Sequence, residues 1–413
     1  MRPKIHLWIE EPIETEQTLT VQARIESSLK REENHHLLWY RLPREYRSDI
    51  TTQADPFVIG TLFMAMHEAS DLIVHGEVSP SLLRNLEEFQ SAWALWLPET
   101  YTKIDIIADR ERDGKKIDEE RAIVAFSGGV DASFTLWRHR TNHCGRLRRN
   151  IEAGIFVHGF DVPLKRVSAY EVALKNASKM VNSLGSKLIP ISTNLKRDLG
   201  DKLRWNWDDY HAVAIISCMM ILKGRYNIGL VGSSYPYNEL VLPWGSNPVT
   251  DHLLSCTDFQ IIHDGADTPR LEKINQMATW SEAMEYLRVC WEGSHKDRNC
   301  CCCEKCTRTI LGFRVMGKGL PKCFEQDVSD EQILNLTSLT PGQIQDLNEV
   351  YVLAEKNSIS EPWVKALQKC IRKNSREGKI IKRLKKMPTI RRWFYNSPII
   401  QRVYHHWQKR SYR

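Results

Sequence analysis

Apolar and polar residues alternate through the first part of the chain. Lys4-Ile9, Leu19-Ile25 and Leu37-Leu42 place apolar side chains at every second position, the period of a strand with one buried face. The spacing then lengthens to a helical one over about Asp55-Ala69 and Ser81-Leu95, and Lys103-Ala108 reads as a strand again. The polar stretch from Asp109 to Glu120 predicts a linker, so residues 1–118 are expected to form an N-terminal α+β domain. From Arg121 the pattern becomes strand, loop, helix, repeated. Strands are predicted at Ala122-Phe126, Gly154-His158, Lys187-Ile191 and Asn227-Val231, with helices to about Arg140, over about Arg166-Leu184 and over about Asp208-Lys223. Such alternation predicts an α/β fold, a parallel sheet with helices on both faces.

Residues 235–264 lose this periodicity, and so long an irregular segment inside a compact domain points to a functional loop, here a substrate lid or pocket wall. Helices follow near Arg270-Ala278 and Ser281-Cys290, and again after a cysteine cluster to about Met316. The second domain is expected to span 119–320, with a small helical region over 321–370 and a tail over 371–413.

The strand at Ala122-Phe126 ends in Ser127-Gly128-Gly129-Val130-Asp131. Two glycines let the backbone turn sharply and approach a ligand, and the N–H groups of the loop and of the next helix's first turn converge there. That arrangement suits phosphate. Ligands in parallel sheets sit beyond the carboxyl ends of the strands, so Val157-His158-Gly159 and Gly232-Ser233-Ser234 are expected to line the same crevice.

Cysteine supplies the second signal. Of eleven cysteines, Cys290, Cys300, Cys303 and Cys306 are spaced so that four thiolates can meet at one point, as tetrahedral zinc requires. An iron–sulfur cluster is the competing occupant. Cys301 and Cys302 are spare.

Charge is unevenly placed. The chain carries +7 overall, yet residues 371–413 hold 14 Lys+Arg against Glu377 alone, leaving residues 1–370 mildly acidic. The tail interleaves those charges with Trp393, Phe394, Tyr395, Tyr404 and Trp407. This mixture suits a nucleic acid or an acidic protein partner, and also an anionic membrane surface. No apolar stretch reaches the ~18 residues of a spanning helix and the first residues lack an apolar signal core, so a cytoplasmic protein is expected.

The glycine loop resembles the Ser-Gly-Gly-x-Asp-Ser signature of PP-loop ATP pyrophosphatases, with Ala132 in place of the last Ser and Ser133 one position later. Together with the cysteine spacing, residues 121–316 resemble the 7-cyano-7-deazaguanine synthases of the queuosine pathway; longer relatives include proteins associated with anti-phage defence. The resemblance implies a Rossmann-like, HUP-type domain that uses ATP, Mg2+ and Zn2+. It implies adenylation of a deazapurine-like carboxylate, release of pyrophosphate, and transfer to ammonia or an amine. Ser127, Gly128, Gly129, Val130, Asp131 and Ser133 would hold the pyrophosphate and magnesium, beside Val157, His158, Gly232 and Ser233. The stretch from Thr268 to Ile274 resembles a family segment that places Lys273 against phosphate charge, with Arg270 a second cation. Asn238, Glu239, Trp244, Ser246, Asp251 and Arg270 are substrate candidates, because a flat heterocycle needs a stacking face and a few hydrogen-bonding groups.

Other readings remain open. His211 suits a core or supporting histidine better than a catalytic one, and His263-Asp264 reads as a metal pair or a capped turn. A glutamine amidotransferase is disfavoured because Arg2 follows the initiator where a nucleophilic cysteine is needed. A tRNA thiolase lacks its Cys-x-x-Cys context near the loop but is kept alive by the basic tail. A catalytically weakened, nucleotide-gated module that binds nucleic acid is a third possibility, motivated by Ala132.

Overall fold

The computed structural model describes residues 2–29, 35–203 and 205–385. They form two compact units, Met1–Pro269 and Arg270 onward.

The first unit is built on one ten-stranded sheet. Its strands are β1 (Lys4–Glu14), β2 (Thr18–Ser27), β3 (His35–Pro43), β4 (Asp71–Val78), β5 (Ile106–Glu111), β6 (Ala122–Ala125), β7 (Ile151–His158), β8 (Lys187–Thr193), β9 (Ile228–Gly232) and β10 (Gln260–Asp264). Helices α1 (Asp55–His67) and α2 (Pro80–Trp96) belong to the N-terminal run; α3 (Val130–Arg140), α4 (Val167–Ser183) and α5 (Trp207–Met220) follow β6, β7 and β8. The spatial order is β10-β9-β6-β7-β8-β3-β2-β1-β4-β5. Strands β6 to β10 are mutually parallel, as the strand-helix alternation predicts.

The expected boundary near residue 118 does not interrupt this sheet, because β3 pairs antiparallel with β8 through Tyr40↔Thr193 and Arg41↔Ser192. Where β8 ends, the Asn194 side chain extends the ladder: its Oδ1 accepts from the Trp39 N–H at 3.0 Å and its Nδ2 donates to the Leu37 carbonyl at 2.6 Å. Under the seam, Tyr40 Oη donates to Ser217 Oγ of α5 at 2.9 Å.

The inward alternation of β1 to β4, Ile5, Leu7, Val21, Ala23, Ile25, Leu38, Tyr40, Leu72 and Val74, is buried in one core with Ile123, Ile155, Ile189 and the apolar residues of α5. Helix α1 is buried from Asp55 to Met66 and apolar on all sides, which is what a helix enclosed by protein requires. A buried ionic group locks the same region. Lys223 Nζ donates to Asp55 Oδ2 at 2.5 Å and lies 3.1 Å from Asp258 Oδ2, and Asp55 also accepts from the Ser79 N–H and hydroxyl. Burial alone would discharge this lysine, but Asp55, Cys256 and Asp258 hold its ammonium form above the ordinary range. Removing one member would leave an uncompensated buried charge, so the group fixes how the N-terminal elements meet the parallel half.

The second unit contains α6 (Arg270–Met277), α7 (Ser281–Tyr286), α8 (Glu304–Val315), α9 (Asp330–Asn335), α10 (Pro341–Lys356) and α11 (Pro362–Lys385). Helix α11 runs past the expected helical limit at 370 and takes in the first part of the basic tail. The tail's aromatic residues lie outside the described residues. Among the described residues, no helix is long and apolar enough to cross a membrane.

At the start of α5, Tyr101 Oη donates to Asp209 Oδ2 at 2.8 Å, and burial pushes the Asp209 carboxyl from 3.8 to about 6. The folded protein therefore binds more protons than the unfolded chain between about pH 4 and 6, and this group's contribution to stability falls as pH rises through that window. Asp209→Asn should remove the dependence: in chemical denaturation, stability of variant minus wild type should shift in the variant's favour by on the order of 2 kcal/mol between pH 4 and 7. Parallel pH profiles would contradict it.

Candidate functional site

Within the parallel half, the order β8-β7-β6-β9-β10 means that the chain leaves β6 toward one edge and returns to lay β9 against its other side. Such a reversal opens a crevice beyond the strands' carboxyl ends. Both predicted glycine turns lie on its rim. Phe126 closes β6 by donating its N–H to the Ile155 carbonyl at 3.0 Å, Ser127 is exposed, and Gly128 turns with φ +77°, a conformation that disfavours any side chain. Ser127 Oγ accepts from the Gly129 N–H at 3.3 Å, and Gly129 is the N-cap of α3. The first-turn N–H groups, Val130 to Ala132, have no acceptor one turn earlier in the helix and carry its positive dipole end. Asp131 is half-buried on that turn. Across the crevice, a Cβ on Gly232 would stand 2.7 Å from the Asp131 carbonyl oxygen, so only glycine lets β9 approach α3 this closely.

The remaining rim residues shape the turns. Ser233 is buried; its N–H donates to the Asp264 carbonyl at 2.7 Å and its hydroxyl to the Tyr235 carbonyl at 2.6 Å. Val157 is half-buried at the end of β7, while His158 stacks on Tyr170 at 4.1 Å and donates from Nε2 to the Pro163 carbonyl at 3.1 Å. Burial lowers the pKa of His158, keeping it neutral. Ser133 is fully buried on the inner side of α3 rather than on the loop surface.

A buried ion pair fixes α3 to the end of β10. Arg138 donates to Asp264 Oδ1 and to Asp267 Oδ1, each at 2.7 Å. His139 Nδ1 accepts from the Arg149 N–H at 2.8 Å, which leaves the proton on Nε2, 3.0 Å from Asp264 Oδ1. Burial alone would raise the Asp264 pKa, but hydrogen bonds from His139 and the Arg138 charge hold it below the ordinary carboxylate value. Asp264 is thus a structural anion, and neither a metal pair nor a capped turn describes it.

On the opposite face of β10, three of the predicted substrate residues come together. Ser246 Oγ donates to Asp251 Oδ2 at 2.7 Å, His263 Nδ1 lies 2.8 Å from the same oxygen, and the Asn247 N–H reaches Asp251 Oδ1 at 3.0 Å. Trp244 packs edge-on against His211 at 5.3 Å and Tyr235 at 5.6 Å. Burial lowers the pKa of His211, which supports this wall as a neutral ring. Asn238 and Glu239 lie on a short 3-10 turn at Tyr237–Glu239. Tyr235 belongs to the 235–264 segment expected to form a pocket wall, whereas the sequence singled out neither Phe160 nor Lys196. Phe160 lies 5.1 Å from Trp207, and a π-helical turn over Leu195–Asp201 carries Lys196, whose Nζ stands 3.9 Å from the Trp207 ring. The paired tryptophans at 205 and 207 were the available sequence signal. Lys273 and Arg270 belong to the second unit, on α6, where Lys273 is buried and Arg270 is partly exposed.

The second unit also holds the four cysteines. The Sγ atoms of Cys290, Cys300, Cys303 and Cys306 all lie within 4.8 Å of one another, with Cys300 to Cys306 at 3.9 Å and Cys290 to Cys303 at 3.7 Å. A tetrahedral metal with 2.3 Å bonds to sulfur has edges of about 3.8 Å, which these two separations match, so the set could hold a metal ion. Three backbone N–H groups point at sulfur: Gly293 to Cys290, Cys303 to Cys300 and Cys306 to Cys303. Hydrogen bonds within the cluster hold the Cys300 and Cys290 thiols below the usual range and push Cys303 and Cys306 above it, so the four share their protons as one group that a metal ion would displace. Asn299, which the sequence did not single out, braces the site: Oδ1 accepts from the Val289 and Cys290 N–H groups while Nδ2 donates to the Leu287 and Cys323 carbonyls.

Elemental analysis of purified protein should find about one metal ion per chain, and Cys303→Ser should reduce this to less than about a quarter. A folded wild-type protein free of metal would contradict the assignment. Set against protein-family models, curated proteins and solved structures, the chain matches none of them.

Proposed function

We propose that the protein is an ATP-dependent ligase that adenylates a carboxylate and passes the acyl group to ammonia or an amine. The observation that carries this reading is the glycine loop at the strand reversal, with β9 held against the first turn of α3 at Gly232. Helix-start N–H groups beside a positive-φ glycine suit the triphosphate, and the half-buried Asp131 carboxylate suits the Mg2+ that accompanies it. The carboxylate oxygen attacks the α-phosphorus, the bond to the β-phosphate oxygen breaks, and pyrophosphate leaves. Amine nitrogen then attacks the acyl carbon, AMP departs with the electron pair of the C–O bond, and one proton is lost. N–H groups fixed in advance stabilise the charge that builds on the leaving pyrophosphate.

The substrate class follows from the aromatic wall. Phe160, Trp207, His211, Trp244 and Tyr235 form a continuous run of ring contacts, and Trp244 shares a loop with the polar group of Ser246, Asp251 and His263, which suits a flat heterocyclic acid of the 7-carboxy-7-deazaguanine type. With all four positions supplied by cysteine, the metal site suits structural zinc, with no position left open for substrate. Its likeness in spacing to the deazaguanine synthases supports a biosynthetic or defence-related modification role.

Protein incubated with Mg-ATP and 7-carboxy-7-deazaguanine should release pyrophosphate and AMP, and Asp131→Ala should reduce the rate at least ~100-fold. No pyrophosphate from a broad panel of carboxylates and amines, despite tight ATP binding, would favour the nucleotide-gated module instead.

A further inference from the structure

The polar group on the far face of β10 contains a histidine arranged as a base. Asp251 is fully buried, and its Oδ2 accepts from Ser246 Oγ at 2.7 Å and faces His263 Nδ1 at 2.8 Å, while its Oδ1 is held by the Asn247 N–H at 3.0 Å. An ionised carboxylate only accepts, so Nδ1 carries the imidazole proton and the lone pair is on Nε2. That nitrogen is buried and has no hydrogen-bond partner. Trp244 Nε1, two residues from Ser246, is likewise a buried donor without a partner. Both atoms border the Trp244-to-Asp251 loop, where a ligand with one donor and one acceptor would satisfy them together. In the strand register His263 pairs with Val231, one residue before Gly232 at the crevice rim, and its side chain lies on the sheet face opposite Asp264 and α3.

We infer that His263, oriented by Asp251, is the base that takes the proton from the attacking amine in the second half-reaction. This inference rests on the adenylation reading. The amine nitrogen bonds to the acyl carbon, AMP leaves with the electron pair of the C–O bond, and the ammonium proton passes to His263 Nε2, which later returns it to water. Asp251 Oδ2 faces Nδ1 and holds the ring in its tautomer, as the carboxylate of an Asp–His pair does.

The two half-reactions can be measured separately in the full-length protein with Mg-ATP and 7-carboxy-7-deazaguanine. In His263→Asn, first-turnover pyrophosphate release should fall by no more than about threefold, while ammonia-dependent product should fall by about 100-fold or more. Hydroxylamine, which is neutral at working pH and whose acylated nitrogen is acidic enough to lose its proton to water, should restore product formation to within about tenfold of wild type. Equal losses with ammonia and hydroxylamine, or no loss with either, would overturn the role of His263. Absence of pyrophosphate release in the wild type would instead overturn adenylation itself. If His263→Asn does not fold, Asp251→Asn, which keeps every heavy-atom position, carries the same expectations.

Discussion

The close approach of Gly232 to the Asp131 backbone is the constraint on which the candidate site depends. With less than 3 Å between a Cβ there and the first turn of α3, the end of β9 can lie against α3 only because no side chain intervenes. That contact brings two loop-forming strand ends to one crevice and aims the start of α3 into it. The Arg138–Asp264–His139 group then fixes α3 to β10, so three consecutive parts of the rim are held by buried contacts rather than by loop chemistry. Rigid placement of this kind is what preorganised phosphate binding requires.

The N-terminal elements serve the same end. They continue the parallel sheet past β8 and cover it with α1, and two devices make the junction specific. Asn194 replaces backbone at the seam where β8 gives way to the π-helical turn, and Lys223, after α5, is enclosed by Asp55 of α1 and Asp258. Because that turn carries Lys196 to the Trp207 ring, the seam also shapes one end of the aromatic wall. Fold and pocket are therefore coupled through a few residues around 193–207.

Much of this was legible in the chain, and the gaps have physical causes. Strands β1 to β3 and β6 to β9 announce themselves through period-two alternation or short apolar runs, and α3 to α5 through helical spacing. The cysteine site was readable because three of its ligands lie within seven residues, a local geometry that spacing alone defines. Strand β4 was missed: His75, Gly76 and Glu77 interrupt its apolar run, and its pairing partners β1 and β5 are remote in sequence. Strand β10 was read as part of the irregular loop because it is five residues long and ends in His263 and Asp264, whose burial rests on partners at 138, 139 and 251. The pocket was half legible for the same reason. Trp244, Ser246 and Asp251 are local to one loop, whereas Phe160, Lys196 and Trp207 join them only through the sheet. The N-terminal run read as a separate domain because nothing local in β3 reports its pairing with β8.

Amide hydrogen exchange, followed by mass spectrometry with and without a magnesium complex of a non-cleavable ATP analogue, tests the central claim most directly. Nucleotide in the crevice should slow exchange in the Gly128 to Ala132 amides and at the Gly232-Ser233 turn. Protection confined to other segments, with these two unchanged at saturating nucleotide, would contradict the account.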